Sequence, residues 1–336
     1  MLSVAVIGLG YWGPNLARNI AASPRMTLTH LCDSNPDRLS SVAIGYSNAM
    51  LSTDTEAIME DPSVGAVAIA TPVSTHHDLA KRALLAGKHV LVEKPLAATS
   101  EEALDLIETA EDRGLVLLVD HIFLYSPAVR KVIEICRSGD IGELNFIDSV
   151  RINLGLIQGD VNVLWDLAPH DLSIIDSLVG KAPRSVVAVG ASHVANGTVD
   201  VSYLHLDYEG VTAAIHLNWL APVKIRHLMV GGSKKSVLYN DLDRSEPVKV
   251  YDSGVNVVAD SLSRQGLLVS YRSGDVLSPR LDSFEPLSEL VTHFAECIEN
   301  GATPLSGGEQ GLRIVRILEA ADRSLAQDGA RIAVMT

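Results

Sequence analysis

The chain opens on a short apolar run that ends in three closely spaced glycines. Val4–Gly8 reads VAVIG, and Gly10 and Gly13 follow it, which gives the spacing G-x-G-x-x-G. At the end of a buried strand this spacing provides a tight turn, then backbone free of side chains, and then a helix packed closely on the strand. The pattern therefore predicts a strand–turn–helix unit whose helix N-terminus presents free amides to an anion.

Apolar runs of strand length alternate with helical patterns through the first third of the chain. The runs are Val4–Gly8, Leu28–Asp33, Ala66–Ala70, His89–Glu93 and Leu115–Val119. Most are almost continuously apolar, as strands buried on both faces are. Between them, residues 74–88 and 99–114 have helical periodicity. Repeated strand–helix pairs with short connections predict an α/β fold, with a doubly wound parallel sheet of the Rossmann type over residues 1–121.

Beyond residue 121 the sequence changes character. A helical stretch at Ser126–Gly139 leads into long β-rich segments separated by turn residues such as Asn196-Gly197 and Gly231-Gly232. Further helices are expected at about Leu164–Val179, Pro286–Glu299 and Glu309–Gln327. These patterns predict a second, α+β domain over residues 122–336. It is built on a large, open and mostly antiparallel sheet, and its last helix packs back on the first domain.

Composition narrows the function classes. A chain of 336 residues with 47% hydrophobic and 20% charged residues is typical of a soluble two-domain protein. Its net charge of −14 argues against a nucleic-acid partner, which needs clustered Lys and Arg. No apolar run approaches the roughly 20 residues of a membrane span, and no signal peptide is evident. The widely separated cysteines indicate reduced thiols. We therefore expect a cytoplasmic protein with no membrane partner.

An acidic residue stands at the tip of the second predicted strand. Asp33 follows Gly13 by 20 residues, where a carboxylate accepts hydrogen bonds from the adenosine ribose of a dinucleotide. A carboxylate there repels a 2′-phosphate, so NAD is expected and NADP is less favoured, although Arg38 is near enough to reach back. Asp33 could also cap the helix that begins at about Pro36. The predicted cofactor residues around this turn are Gly8, Gly10, Tyr11, Trp12, Gly13 and Asp33.

A later stretch, Thr71–Ala97, carries a family resemblance. The pieces that carry it are Thr71-Pro72 with His76 after them, Ala86-Gly87-Lys88-His89-Val90, and Glu93-Lys94-Pro95. They resemble the glucose–fructose oxidoreductase, inositol dehydrogenase and rhizopine-catabolism (Gfo/Idh/MocA) family of NAD(P)-dependent sugar and cyclitol oxidoreductases. Downstream, Ser126–Leu144 resembles the family's linker helix and Trp165–Gly180 resembles its catalytic helix. The resemblance therefore extends over the whole chain.

The resemblance implies roles for residues at the matching positions. Lys94 would contact both the substrate hydroxyl and the nicotinamide ribose, while Asp166 and His170 match the family's catalytic acid and histidine. The further cofactor residues that it implies are Thr71, Pro72, His76, Glu93 and Lys94. It also implies a homodimer or homotetramer formed through the C-terminal sheet, which is consistent with an open sheet that leaves one face to be covered.

The chemistry of these residue types fits the implied reaction. Asp166 and His170 are four residues apart in a helical stretch, so they share one helix face. When an alcohol is oxidised, a hydride leaves the carbon and a proton leaves the oxygen, and an imidazole accepts a proton near neutral pH. We therefore assign His170 as the principal acid–base group, tuned by Asp166. Lys94 would orient the substrate oxygen and stabilise alkoxide charge. The sequence leaves open which of the two moves the proton.

Substrate contacts are expected mainly in the segment before the catalytic helix. The predicted contacts are Tyr125, Arg151, Asn153, Gln158, Asn162 and Trp165. Trp165 could stack on a sugar ring or belong to the core, and Tyr125 could line the cleft or be packed in the core. No metal is expected, because the adjacent His76 and His77 point about 100° apart on a helix.

The function hypothesis follows from these residues together. The chain would transfer a hydride between NAD and a secondary hydroxyl or ketone of a sugar, nucleotide sugar or cyclitol. Many relatives carry a glycine-rich segment where this chain reads Asp160–Trp165, so the resemblance does not name the substrate. The alternative is a non-catalytic protein on the same fold that senses NAD(P) or a sugar.

Overall fold

The computed structural model describes residues 1–155, 157, 161–194, 197–259 and 267–335. Its strands are β1 (Leu2–Ile7), β2 (Met26–Cys32), β3 (Met50–Ser52), β4 (Ala66–Ile69), β5 (His89–Glu93), β6 (Leu117–Asp120), β7 (Leu144–Leu154), β8 (Ser185–Ala191), β9 (Val201–Tyr208), β10 (Val211–Asn218), β11 (Leu220–Gly232), β12 (Ser236–Asn240), β13 (Val248–Ala259), β14 (Leu267–Leu277) and β15 (Ile332–Ala333). Its helices are α1 (Gly13–Ala22), α2 (Pro36–Ala43), α3 (Glu56–Glu60), α4 (His76–Leu85), α5 (Ser100–Asp112), α6 (Pro127–Arg137), α7 (Val163–Val179), α8 (Pro286–Asn300) and α9 (Gly308–Leu325).

The chain divides into two compact units. Unit 1 comprises Met1–Ser126 and Phe284–Glu319, and unit 2 comprises Pro127–Ser283 and Ala320–Thr336. Helix α8 and most of α9 therefore belong to the same unit as the N-terminal sheet. Within the described residues, no helix is long and apolar enough to cross a membrane.

The sheet of unit 1 is entirely parallel, with strand order β3-β2-β1-β4-β5-β6. The order reverses between β1 and β4, which is the switch point where doubly wound sheets bind their ligands beyond the carboxyl ends of the strands. Strand β4 is fully buried and β1 is buried from Val4 to Ile7, because these runs are continuously apolar. The predicted Rossmann sheet is confirmed, and β3 is an additional strand that was not predicted.

Unit 2 is built on a nine-stranded sheet with the order β14-β13-β12-β11-β7-β10-β9-β8-β15. Its strand pairs are antiparallel except β7 with β10, which run parallel. Helix α7 packs against β7, β9 and β10, while α6 packs against β12 and β13. The predicted mostly antiparallel sheet is confirmed.

Helix α7 has clear sequence signals at both ends. Asn162 is the N-cap, and its side chain accepts hydrogen bonds from the backbone N–H groups of Leu164 and Trp165. The helix ends at Gly180, whose φ of 73° lies in the left-handed region that glycine adopts without strain. These signals explain why the predicted helix, Leu164–Val179, differs from the observed one by a single residue at its start.

Candidate active site

The three glycines after β1 have different steric surroundings. A Cβ on Gly8 would lie 2.5 Å from the carbonyl oxygen of Ala70, and Gly8 also has a φ of +90°. A Cβ on Gly13 would lie 1.9 Å from the carbonyl oxygen of Gly8, so the turn closes only without a side chain there. Gly10 has no atom within 4 Å of an added Cβ. The turn thus leaves open space over Gly10, beside the N-terminus of α1, where the pyrophosphate of a dinucleotide would bind.

This contrast predicts different outcomes for two similar substitutions. Gly13→Ala should lower the free energy of unfolding by more than about 2 kcal/mol, because the new methyl group overlaps a backbone oxygen. Gly10→Ala should leave it within about 0.5 kcal/mol and weaken NADH binding about tenfold or more, because the methyl group occupies the space above the turn. Denaturant unfolding and NADH fluorescence titration measure the two effects. Unimpaired NADH binding by Gly10→Ala would contradict this assignment.

Asp33 is a buried carboxylate held at the tip of β2. Its Oδ2 accepts a hydrogen bond from the backbone N–H of Leu9 at 2.7 Å, and its Oδ1 accepts one from Asn35 at 2.8 Å. Each oxygen has a second lone pair, so the carboxylate can still accept ribose hydroxyls. The alternative role as a helix cap is wrong, because Asn35 caps α2 by accepting from the N–H groups of Asp37 and Arg38.

His76 is buried and connects the segments that follow β4 and β5. Its Nδ1 lies 2.9 Å from the carbonyl oxygen of Pro95, and its Nε2 lies 2.9 Å from that of Thr71. The predicted cofactor residues Thr71 and Pro72 belong to the first of these segments, and the Lys94–Pro95 peptide in the second is cis. His77 instead contacts Asp105, with Nε2 and Oδ2 2.6 Å apart. The two neighbouring histidines therefore have separate partners.

Lys94 lies directly after β5, in a cluster of ionisable side chains. Glu93 ends β5 and stands in register with Asp120, which ends β6. The next residue, His121, is 1% exposed. Burial, and then the charge of Lys94, lower the pKa of His121 to about 3, so its imidazole is neutral.

Trp12 connects this cluster to the glycine turn. Its indole Nε1 donates a hydrogen bond of 2.6 Å to Oδ2 of Asp120. Tyr11, its neighbour in the turn, is 88% exposed. Trp12 is among the residues predicted from the sequence, whereas Asp120 and His121 are not. Their position directly after an apolar run was the available signal, because the ends of neighbouring parallel strands lie side by side.

In unit 2, Asp166 and His170 both lie on α7 and are partly exposed. Oδ2 of Asp166 accepts a hydrogen bond from Nε1 of Trp219 at 3.0 Å, which fixes the orientation of the carboxylate. Asp171, one residue beyond His170, is buried and accepts from Arg151 at 2.6 Å and from Ser149 at 2.8 Å. Asp171 is thus a structural residue that holds α7 against β7.

Most of the predicted substrate contacts are occupied in packing. Arg151 is 3% exposed and paired with Asp171. Burial lowers the pKa of Arg151, but the charge and hydrogen bonds of Asp171, with smaller contributions from Tyr239 and Asp241, leave it above its ordinary value. Trp165 is buried and donates to Asp322 at 2.5 Å, and Asn162 both caps α7 and donates to Asp322. Tyr125 is fully buried, with its hydroxyl 3.0 Å from Oγ of Ser306.

Four of the predicted substrate residues therefore have hydrogen-bonding partners within the fold. For Trp165 and Tyr125 the packing alternative describes the structure, and Arg151 and Asn162 hold the fold of unit 2 together. Asn153 is different, because its side-chain Oδ1 is buried and no donor within the described residues reaches it. Gln158 lies outside the described residues. Within the described residues, the acceptor Oδ1 of Asn153 is therefore unused.

Comparisons with known proteins agree with this architecture. Residues 2–121 match the GFO/IDH/MocA oxidoreductase family with its NAD-binding Rossmann fold, and residues 129–238 match the GFO/IDH/MocA C-terminal domain. A protein of known crystal structure from Magnetospirillum magnetotacticum MS-1 is 30% identical, with a TM-score of 0.81 over 95% of this chain and 99% of that one.

Two relatives have named activities. UDP-N-acetylglucosamine 3-dehydrogenase of Acidithiobacillus ferrooxidans is 35% identical over 197 residues, which are 58% of this chain and 60% of that protein. The scyllo-inositol 2-dehydrogenase (NADP(+)) of Bacillus subtilis strain 168 is 26% identical over 85% of this chain and 84% of its own. With both of its domains matched, the chain belongs to the GFO/IDH/MocA family of oxidoreductases and carries that family's NAD-binding Rossmann domain.

Proposed function

We propose that this enzyme transfers a hydride between NAD and a secondary hydroxyl or ketone of a sugar, nucleotide sugar or cyclitol. The observation that carries the proposal is the glycine turn, with its open space at Gly10 and the buried Asp33 carboxylate beside it. That arrangement fits a dinucleotide with a free ribose 2′-hydroxyl. The named relatives act on a nucleotide sugar and on an inositol, which supports this range of substrates.

Three side chains are proposed to carry the acid–base chemistry. When bound, the nicotinamide accepts or donates the hydride. His170 takes the hydroxyl proton in the oxidative direction and returns it in the reductive direction. Asp166, oriented by Trp219, stabilises the charged imidazole. Lys94 donates a hydrogen bond to the substrate oxygen and stabilises the negative charge that develops on it.

The preference for NAD rests on Asp33. Its two oxygens are already oriented by the Leu9 and Asn35 amides, so the carboxylate has little freedom to move away from a 2′-phosphate. Arg38 is exposed and donates its backbone N–H to Asn35. We therefore expect a higher kcat/KM with NAD than with NADP.

The test is NADH formation followed by absorbance with a substrate panel. The panel contains UDP-sugars, free sugars and inositols, each with NAD and with NADP. Turnover of at least one class with NAD supports the proposal. NAD binding without turnover across the panel in both directions would favour the regulatory alternative, which the dehydrogenase names of the relatives do not support.

We also propose that the enzyme is a homodimer or homotetramer formed through the open face of the unit 2 sheet. Aromatic and aliphatic side chains on this sheet are exposed, among them Phe146, Leu154, Val189 and Tyr203 at 40%, 75%, 47% and 51%. Tyr203 stacks on His216 of the neighbouring strand, with ring centroids 4.3 Å apart. Exposed apolar side chains gathered on one face of a sheet are typical of an interface.

Tyr203→Glu is expected to shift the enzyme to the monomer, because it places a charge within the proposed interface. Light scattering at micromolar concentration measures the mass. Met50→Glu, at a residue of unit 1 that is 63% exposed, is the matched control and should keep the wild-type mass. A monomeric wild-type enzyme would overturn the proposal.

A further inference from the structure

Glu93 and Asp120 place two carboxyl groups beside Lys94, and the proposed acid–base chemistry does not use them. Glu93 and Asp120 end neighbouring parallel strands in register. Oε2 of Glu93 accepts the backbone N–H of Lys94 at 3.1 Å, and Oδ2 of Asp120 accepts the indole N–H of Trp12. One oxygen of each carboxyl is therefore used to hold a neighbouring residue of the candidate site.

The other oxygen of each carboxyl is buried and lacks a donor. No N–H or hydroxyl within the described residues reaches Oε1 of Glu93 or Oδ1 of Asp120. The two side chains are hydrogen-bonding neighbours of one another. Two ionised carboxylates cannot form that bond, because both are acceptors only. A single proton held between them satisfies both oxygens.

The balance of charge around the pair favours the same state. Within the described residues, the charged group that acts on both carboxyls is Lys94, and His121, the residue after Asp120, is neutral. With one shared proton the pair carries one negative charge, which balances the Lys94 ammonium. With no proton, an uncompensated negative charge would be buried, and with two protons the ammonium would lose its partner.

Burial is the main cause of the proton's retention. Burial, and then the charge of Asp120, raise the pKa of Glu93 well above its usual range. Burial also raises the pKa of Asp120, against the opposing effect of its hydrogen bonds with Glu93 and Trp12. These directions agree with the geometry, as expected for two carboxyl groups that share one proton.

We propose that Glu93 and Asp120 form a carboxyl pair that shares one proton, positions Lys94 and connects it through Trp12 to the glycine turn. The two are positioning residues in the reaction proposed above, on which this role rests. The pair supplies one negative charge beside Lys94 and holds the Lys94 backbone. Loss of the shared proton at high pH adds a second buried charge and disturbs both functions.

The effect of pH on stability follows from the proton count. Above the ordinary carboxyl pKa of about 4, the unfolded chain has lost a proton that the folded enzyme retains. The stabilisation is fully present below that value, and it falls as pH rises through the raised pKa of the pair. Thermal unfolding without substrate should show this fall. Glu93→Gln and Asp120→Asn should each make it shallower, because an amide keeps the hydrogen bond without a proton to lose.

Activity tests the role in positioning Lys94. Each single amide retains one ionised carboxyl, so we expect each to lower kcat about two- to fivefold. The double variant loses the negative charge and should lower kcat about thirtyfold or more, beyond the product of the single effects. Asp105→Asn, which removes a carboxyl on α5, is the control and should leave kcat unchanged. A double variant that equals the product of the singles would overturn the positioning role.

Infrared difference spectra separate this inference from the proposed function. A protonated, buried carboxylic acid gives a carbonyl band in wild type near neutral pH, and Glu93→Gln should remove it. This measurement and the unfolding curves need no substrate. If the band is present but no substrate of the panel is turned over, the proposed function is wrong and the shared proton is supported. If turnover occurs without the band, and the amide variants leave the pH dependence of unfolding unchanged, the shared proton is refuted and the proposed function is retained.

Discussion

Lys94→Ala should lower kcat about 10³-fold while NADH binding weakens less than about fivefold. The large loss is expected because the ammonium is proposed to act on charge that develops at the substrate oxygen during hydride transfer, and such groups contribute about 10² to 10³ in rate or more. The small effect on binding is expected because Gly10, Gly13 and Asp33 remain. NADH absorbance gives kcat, and fluorescence titration gives the dissociation constant.

Two further variants sharpen the test of Lys94. Lys81→Ala removes a lysine on α4 that pairs with Asp105 at the surface and should leave kcat unchanged. Lys94→Arg keeps the charge but not the compact ammonium, so its kcat should lie between those of wild type and Lys94→Ala. If Lys94→Ala changed only the KM for the substrate, the lysine would contribute to binding and not to the chemical step.

His170→Ala should lower kcat by about 10² to 10⁴-fold, the usual contribution of a general acid–base group. The limb that an imidazole gives to the pH profile of kcat should disappear. Added imidazole should restore part of the rate, because the proposed role requires a proton acceptor at that place. His77→Ala, at a histidine paired with Asp105, is the control. If the pH profile of kcat is unchanged in His170→Ala, Lys94 and not His170 accepts the proton.

Asp166→Asn tests the partner of this histidine. The amide keeps the shape of the side chain and can still accept the indole N–H of Trp219, so stability should change by less than about 1 kcal/mol. The lost negative charge no longer stabilises the charged imidazole, so kcat should fall about tenfold or more. Unchanged kcat would show that Asp166 serves only to anchor Trp219.

The parts of the site that were predicted from sequence are those with local causes. The glycine turn was recognised because its steric requirements lie within Gly8–Gly13, and Asp33 because its distance from the turn is set by one helix and one strand. Helix α7 was placed within one residue because its cap and its terminating glycine are adjacent to it. By contrast, β3 has three residues, two of them exposed, so it has no apolar pattern from which a strand could be predicted.

The predicted substrate residues that turn out to have packing partners bond to distant parts of the chain. Tyr125 bonds Ser306, which is 181 residues away, and Trp165 bonds Asp322, which is 157 away. From sequence alone, a polar or aromatic residue before a catalytic helix is a candidate for binding substrate, because its internal hydrogen-bonding partner is not visible. Asp120 was missed for the same reason, because its neighbour Glu93 is adjacent only across the sheet. Local sequence thus specified the turn and the helix, but not the hydrogen-bonding partners of their side chains.

The double use of Asp33 has a consequence for redesigning coenzyme selectivity. The usual route to accepting a phosphorylated adenosine is to remove the acidic side chain at this position. Here that carboxylate also accepts the Leu9 and Asn35 amides. Its removal therefore leaves the buried Leu9 donor of the glycine turn, and the Asn35 donor before α2, without their acceptor. One residue therefore determines both coenzyme selectivity and the integrity of the loop. A variant designed to accept NADP would need replacement hydrogen-bond acceptors for these amides as well as a basic residue for the phosphate.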